Sequence, residues 1–205
     1  MLKILLLSCV VILSLCGCAR QPEKPQKYAE AAQMVCPEQT RRVEITNSAY
    51  PEFYCVGMDG RVGTWLEYDA NGHLRKRAEY KADKLNGKWA AYHNEGGIET
   101  EGTMADGMRE GEWTQYYVNG KPRSIKHYKN NQIHGAVKLY YQTGGLMAEG
   151  DYVEGYEEGP WKVYLEDGRL SRECRLDHGE EKDCKIYIKQ DAESRAYHSK
   201  ERGPL

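Results

Sequence analysis

Read as apolar and polar positions, the chain changes character twice. Behind one positive charge, Lys3, an apolar run broken only by Ser8 and Ser14 extends from Ile4 to Leu15; from about residue 56 onward, apolar and polar residues alternate in short stretches punctuated by glycine. Alternation of that kind is the period of a half-buried strand, and glycines bounding such stretches mark turns. The stretches also repeat. Counted from a first glycine, five units of 24 residues, without insertion, begin at Gly63, Gly87, Gly111, Gly135 and Gly159 and span residues 63–182. Position three is Trp65, Trp89, Trp113, Val137 and Trp161, position six is Tyr68, Tyr92, Tyr116, Tyr140 and Tyr164, and position ten is always glycine. Val56, Gly57, Asp59 and Gly60 fall in register with the end of a degenerate earlier unit, and Cys184 to Ile188 reads as a closing strand.

Each unit reads as a β-hairpin. Asn71-Gly72, Asn119-Gly120 and Asp167-Gly168 sit at mid-unit, where a two-residue turn is expected. A second set of turn formers, around Asp83, Gly107, Asn130-Asn131, Gly155 and Gly179, joins one hairpin to the next. The expected fold is all-β: a single-layer antiparallel meander of repeated hairpins with about ten to twelve strands. A two-residue turn at positions nine and ten pairs position seven with twelve, five with fourteen and three with sixteen. Position sixteen is Ala78, Gly102, Lys126, Gly150 and Cys174, so mostly small residues lie opposite mostly tryptophan. An indole folded over a glycine restores packing that the glycine lacks. The unit that replaces tryptophan with Val137 adjoins the one that replaces its small residue with Lys126. The same parity puts Leu74, Ile98, Leu146 and Leu170 on the tryptophan face. It puts the tyrosine file on the opposite face, among Arg75, Glu79, Glu99 and Arg123. Trp65, Trp89, Trp113 and Trp161 are therefore expected to be structural, and Tyr68, Tyr92, Tyr116, Tyr140 and Tyr164 to form a partner-binding surface.

The units resemble the MORN repeat in its bacterial variant form, G-x-W-x-x-Y-x-x-N-G followed by a strand ending in tyrosine and a Gly or Asn turn. The resemblance covers about residues 56–182, and Val137 departs from it. It implies a repeat scaffold. Bacterial proteins of this type are often labelled antitoxins, and eukaryotic ones are scaffolds associated with membranes or lipid phosphates.

The flanks add an address. Lys3 and the apolar run have the layout of a secretory signal, too short to span a bilayer. Leu15-Cys16-Gly17-Cys18 resembles a bacterial lipobox, which makes Cys18 the expected lipidated N-terminus. Ala19 lacks the aspartate that favours inner-membrane retention, so a lipid-anchored protein of the cell envelope, in the outer membrane and facing the periplasm, is expected. The organisation read from the sequence is a signal peptide (1–17), a tether, part helical (18–38), an N-terminal cap (39–62), the repeats (63–182), and a cap strand with a polar tail (183–205).

Loss of residues 1–17 removes one charge, Lys3, and leaves 28 basic against 31 acidic residues, a balance unsuited to nucleic acid. Beyond Cys18 the exported chain holds Cys36, Cys55, Cys174 and Cys184. Four cysteines in an oxidising compartment allow three pairings, and chain order favours Cys36 with Cys55 and Cys174 with Cys184. A metal reading of Cys174, His178 and Cys184 lacks a fourth ligand. The six histidines fall at unrelated repeat positions, and no nucleophile elbow, phosphate loop or zinc-protease motif occurs. No cofactor is expected, and no enzymatic activity. The expected function is binding or scaffolding of another envelope component, a protein or a glycan, through an aromatic sheet face. The alternative is an envelope immunity or antitoxin-like inhibitor of a cognate toxic protein.

Overall fold

The computed structural model describes residues 27–188. Cys18 and most of the polar tail lie outside them. After a single helical turn, α1 (Ala29–Ala32), the chain is all strand. Two cap strands, β1 (Arg41–Ile45) and β2 (Glu52–Gly57), lead into β3 (Gly60–Tyr68) and β4 (Leu74–Lys81). The repeats continue as β5 (Lys84–Tyr92), β6 (Ile98–Ala105), β7 (Met108–Tyr116), β8 (Pro122–Lys129), β9 (Gln132–Tyr140) and β10 (Leu146–Val153). The last are β11 (Tyr156–Tyr164), β12 (Leu170–Asp177) and β13 (Glu180–Ile186). All belong to one sheet whose spatial order is the sequence order, 13 strands in an antiparallel meander. The count exceeds ten to twelve because the N-terminal cap contributes a full hairpin, β1–β2, rather than half a unit.

The pairing of position three with sixteen holds throughout: Trp65 with Ala78, Trp89 with Gly102, Trp113 with Lys126, Val137 with Gly150, Trp161 with Cys174. The mid-unit turn is a different one from that expected. Gly72 N–H donates to the Asp69 carbonyl (3.0 Å) and Asp69 N–H to the His73 carbonyl (2.9 Å), and of Asn71 and Gly72 only the glycine has positive φ, 92°. This is a type I turn closed by a glycine bulge. A two-residue turn would force position nine into the left-handed region as well, and that position holds Glu95 and the β-branched Thr143, which resist it. The true two-residue turns lie between units, where both central residues have positive φ, as in Ala82-Asp83 (48°, 62°) and Asn130-Asn131 (50°, 69°).

The extra residue in the mid-unit turn is offset by a bulge in the returning strand, as where Glu67 pairs with Lys76 but Tyr68 with Leu74, so the pairing of three with sixteen is kept and only position twelve changes face. Position twelve pairs with position six: Tyr68 with Leu74, Tyr92 with Ile98, Tyr140 with Leu146, Tyr164 with Leu170. The leucine row expected beside tryptophan therefore lies with tyrosine. Position-one glycines mark bulges between hairpins. Ala78 pairs with Trp89 but Tyr80 with Leu85, and the slipped stretch contains Gly87 at φ 117°.

One sheet must cover its own faces. On the tryptophan face, Ile133, Val137, Ala148, Tyr152, Trp161, Cys174 and Leu176 form a buried cluster. Gly102 and Gly150 are required there, because a Cβ on either would come within 2.3 Å of the Trp113 or Trp161 ring. Trp89 and Trp113 meet above Gly102 with ring centroids 5.4 Å apart. On the tyrosine face, Ala31 of the N-terminal segment buries Phe53, Leu66 and Tyr68, with Tyr28 and Met34 packed alongside. Two disulfides secure the ends. Cys36–Cys55 ties that segment to β2, and Cys174–Cys184 joins directly paired residues of β12 and β13, with a bulge at Arg175/Leu176. The second bridge takes up both thiols of the candidate metal set.

Candidate binding groove

The turns between units build a recurring side-chain trio. Each donates a backbone N–H to the strand that opens the preceding hairpin: Asp83 to Arg61 (3.0 Å), Gly107 to Leu85 (2.8 Å), Asn131 to Arg109 (3.0 Å), Gly155 to Ile133 (3.0 Å). The residue at position twenty-one is thereby held against position twenty-three of the unit before. The first trio is Arg61, Tyr80 and Asp83. The guanidinium carbon sits 4.2 Å from the Tyr80 ring centroid, and Nε donates to Asp83 Oδ1 at 2.6 Å. This hydrogen bond and the guanidinium charge hold the Asp83 carboxyl below the usual carboxylate range.

Two units on, Arg109, Tyr128 and Asn131 repeat the geometry. The guanidinium carbon lies 4.1 Å from the Tyr128 centroid, and Nε donates to Asn131 Oδ1 at 2.7 Å. The stack is the same but the partner is now a neutral amide, so the arginine charge is not compensated. Beside it stands Lys126, where other units carry Ala, Gly or Cys. Among the described residues the Lys126 ammonium has no hydrogen bond and no ion pair. Burial, followed by the nearby Arg109 and Arg123 charges, lowers its pKa. Arg109, Lys126 and Asn131 line an open groove of about 370 Å³ on the tryptophan face, with Trp89, Trp113 and Tyr128 as walls and Thr100, Gln115 and Ser124 beside them. The Ser124 hydroxyl donates to Gln115 Oε1 (3.0 Å), leaving the Gln115 amide N–H groups to donate outward.

With this geometry in hand, the family comparison is decisive for the repeat. The model of the MORN repeat variant matches residues 61–82, 109–130 and 133–154. Three of the chain's repeats match the MORN repeat variant. No curated protein matches the chain. Among solved structures, the Glycosylation Associate Protein complex from Streptococcus agalactiae is similar at 10% identity over 57% of this chain and 22% of that one, with a TM-score of 0.35. S. aureus TarM, in complex with fondaparinux, alpha-GlcNAc-glycerol and UDP, is similar at 10% identity over 59% and 21%, with a TM-score of 0.34. The chain spans about a fifth of the length of either.

The tyrosine file of the MORN units shares one face, but it is not an open row. Tyr68 is 2% exposed; its hydroxyl oxygen accepts Ala31 N–H at 3.0 Å, and Phe53 and Tyr28 pack against its ring. Its expected place in a partner surface is therefore taken by the N-terminal segment. Tyr116 donates to Glu101 (2.7 Å) and Tyr164 to Glu149 (2.8 Å). Burial and the Glu149 hydrogen bond push the Tyr164 pKa up to about 12. Tyr92 and Tyr140 are half-buried. The four tryptophans lie on the opposite face, with Trp65, Trp113 and Trp161 buried.

A second ladder escaped the sequence reading. Position-seven side chains of the middle MORN units reach the position-six carbonyl of the next unit: Tyr117 to Tyr140 (2.7 Å), Tyr141 to Tyr164 (2.8 Å), and the His93 ring to Tyr116 (3.1 Å). The available clue was that His93, Tyr117 and Tyr141 can all reach a carbonyl where the end units carry Asp69 and Leu165. Two other histidines are likewise engaged locally, His73 with Asp69 and His178 with Asp177.

Proposed function

We propose that this protein is a lipid-anchored, non-catalytic binding module of the bacterial cell envelope, tethered through Cys18. It recognises another envelope component through an aromatic sheet face. The observation that carries the binding reading is the groove on the tryptophan face, where aromatic walls, neutral hydrogen-bonding groups and two uncompensated cations converge. The tyrosine face supports the role less well, because its hydroxyls are committed to Ala31, Glu101 and Glu149. The address rests on the order Lys3, apolar run, Gly17, Cys18. Among the described residues no helix is long and apolar enough to cross a membrane.

Two measurements test the reading. A photo-crosslinking residue at Thr100, in intact cells, is expected to capture an envelope component that the same residue at Glu99 does not. Equal capture at both positions, or none, removes the groove from the proposal. Cys18→Ser is expected to release the protein from the membrane fraction or leave it unprocessed, and unchanged fractionation and processing would eliminate the anchor.

A further inference from the structure

The repeat serves as its own control for the groove. Two departures from the pattern of the units line it, Asn131 where the equivalent arginine trio has Asp83 and Lys126 where other units have a small residue, and a third adjoins it: Val137, paired with Lys126, where other units have tryptophan. None is needed for the fold, since the same turn, stack and strand pairing form without them elsewhere in the sheet. A half-buried ammonium without a counter-charge is stabilised by an anionic partner that compensates it. Beside it, Arg109 spends Nε and one terminal nitrogen on Asn131 and retains N–H donors.

We propose that this groove binds a carboxylated sugar of an envelope glycan. Its carboxylate lies on Lys126 and Arg109, and its ring lies against Trp89. The proposal rests on the binding reading above and names its ligand class. One face of a pyranose ring presents C–H bonds of partial positive charge to the negative face of an aromatic ring. Its hydroxyls find Thr100, Ser124 and the free Gln115 amide. A groove of about 370 Å³ is at the small end of ligand sites and holds one or two sugar rings. An extended peptide would instead seek unpaired backbone at a sheet edge. Here β6, β7 and β8 are paired on both sides, so only side chains are on offer.

The test is isothermal titration of the full-length protein in detergent with tri-galacturonate and N-acetylmuramic acid. The methyl ester of the first, N-acetylglucosamine, inorganic phosphate and tri-glutamate serve as comparisons. At least one acidic sugar is expected to bind, its neutral counterpart at least tenfold more weakly, and phosphate and tri-glutamate more weakly still. Lys126→Gly returns the unit to its own small-residue pattern, so it keeps the fold; it is expected to weaken the acidic sugar at least tenfold, whereas Lys126→Arg keeps affinity within a few fold. The proposal is overturned if neither acidic sugar binds, if neutral sugars or tri-glutamate bind as well, or if Lys126→Gly leaves affinity unchanged. Crosslinking from Thr100 that captures a component while both acidic sugars fail would leave the binding reading standing and remove only the ligand class.

Discussion

The first and third junctions between hairpins have one backbone and two electrostatic outcomes. At the first, Arg61 stacks on Tyr80 and is neutralised by Asp83; at the third, Arg109 stacks on Tyr128 and meets Asn131. Ala78 is fully buried beside the first stack, and Lys126 stands beside the other. The difference separates what the repeat needs from what it has been given in addition. An arginine over a ring, fixed by a turn residue, stabilises either junction, and the counter-charge is dispensable to the geometry. A site that discards its counter-charge and adds a cation is suited to an anion from outside.

The largest effect tests the shared part. Trp113→Ala removes an indole 7% exposed, whose Nε1 donates to the Thr103 carbonyl at 3.2 Å, and is expected to destabilise the sheet by about 3 kcal/mol in denaturant melts. Trp65→Ala, at the first junction and 8% exposed, should destabilise by a similar amount but leave ligand affinity intact, whereas Trp113→Ala should also weaken the groove. Equal loss of affinity in both would show that the groove is not confined to the third junction.

The next effect converts one junction into the other. Asn131→Asp is expected to neutralise Arg109 as Asp83 neutralises Arg61, lowering affinity for an acidic sugar at least tenfold, about 1.4 kcal/mol, with little change in melting. Higher affinity after this change would reverse the assigned sign of the site.

A smaller effect appears in pH dependence. The Asp83 pKa is lowered in the folded state by Arg61, so its contribution is whole above the ordinary aspartate value of 3.8 and is lost as the pH falls through the lower folded value. The melting difference between wild type and Asp83→Asn should therefore be present at about pH 7 and shrink progressively as the pH falls below 3.8. A difference undiminished in acid would mean that the carboxylate charge is not what holds this junction.

The smallest effect concerns the other face. Tyr116→Phe removes one hydroxyl-to-carboxylate hydrogen bond, expected to destabilise by no more than about 1 kcal/mol and to leave groove affinity unchanged. Weaker binding without destabilisation would return the partner surface to the tyrosine file.

Much of the fold was legible because the chain repeats itself. Trp65, Trp89 and Trp161 recurring opposite Ala78, Gly102 and Cys174 gave the pairing of position three with sixteen, and the same parity carried the meander and, apart from position twelve, the face of each residue. The tyrosine file was legible as a row but not as a committed one. Its hydroxyl partners, Ala31, Glu101 and Glu149, lie 15 or 37 residues away in the chain, and no period relates Ala31 to Tyr68. The groove was half legible. The coincidence of Val137 with Lys126 stood out in the aligned units, but Arg109 and Asn131 are 22 residues apart and meet only once the turn docks on the strand before it.

Sequence alone therefore determined the repeat, the alternation that sorts indole from polar side chains, and the order of strands, because side-chain period and local turn chemistry act over a few residues. Tertiary structure decided which turn carries positive φ at two residues, and so on which face Leu74, Ile98, Leu146 and Leu170 lie. One residue more in a turn reverses parity until a bulge restores it, and whether Thr143 can enter the left-handed region is settled only when the strands pair. It also decided that Tyr68 is covered and that Lys126 stands uncompensated beside Arg109, because charge and burial depend on which strands become neighbours.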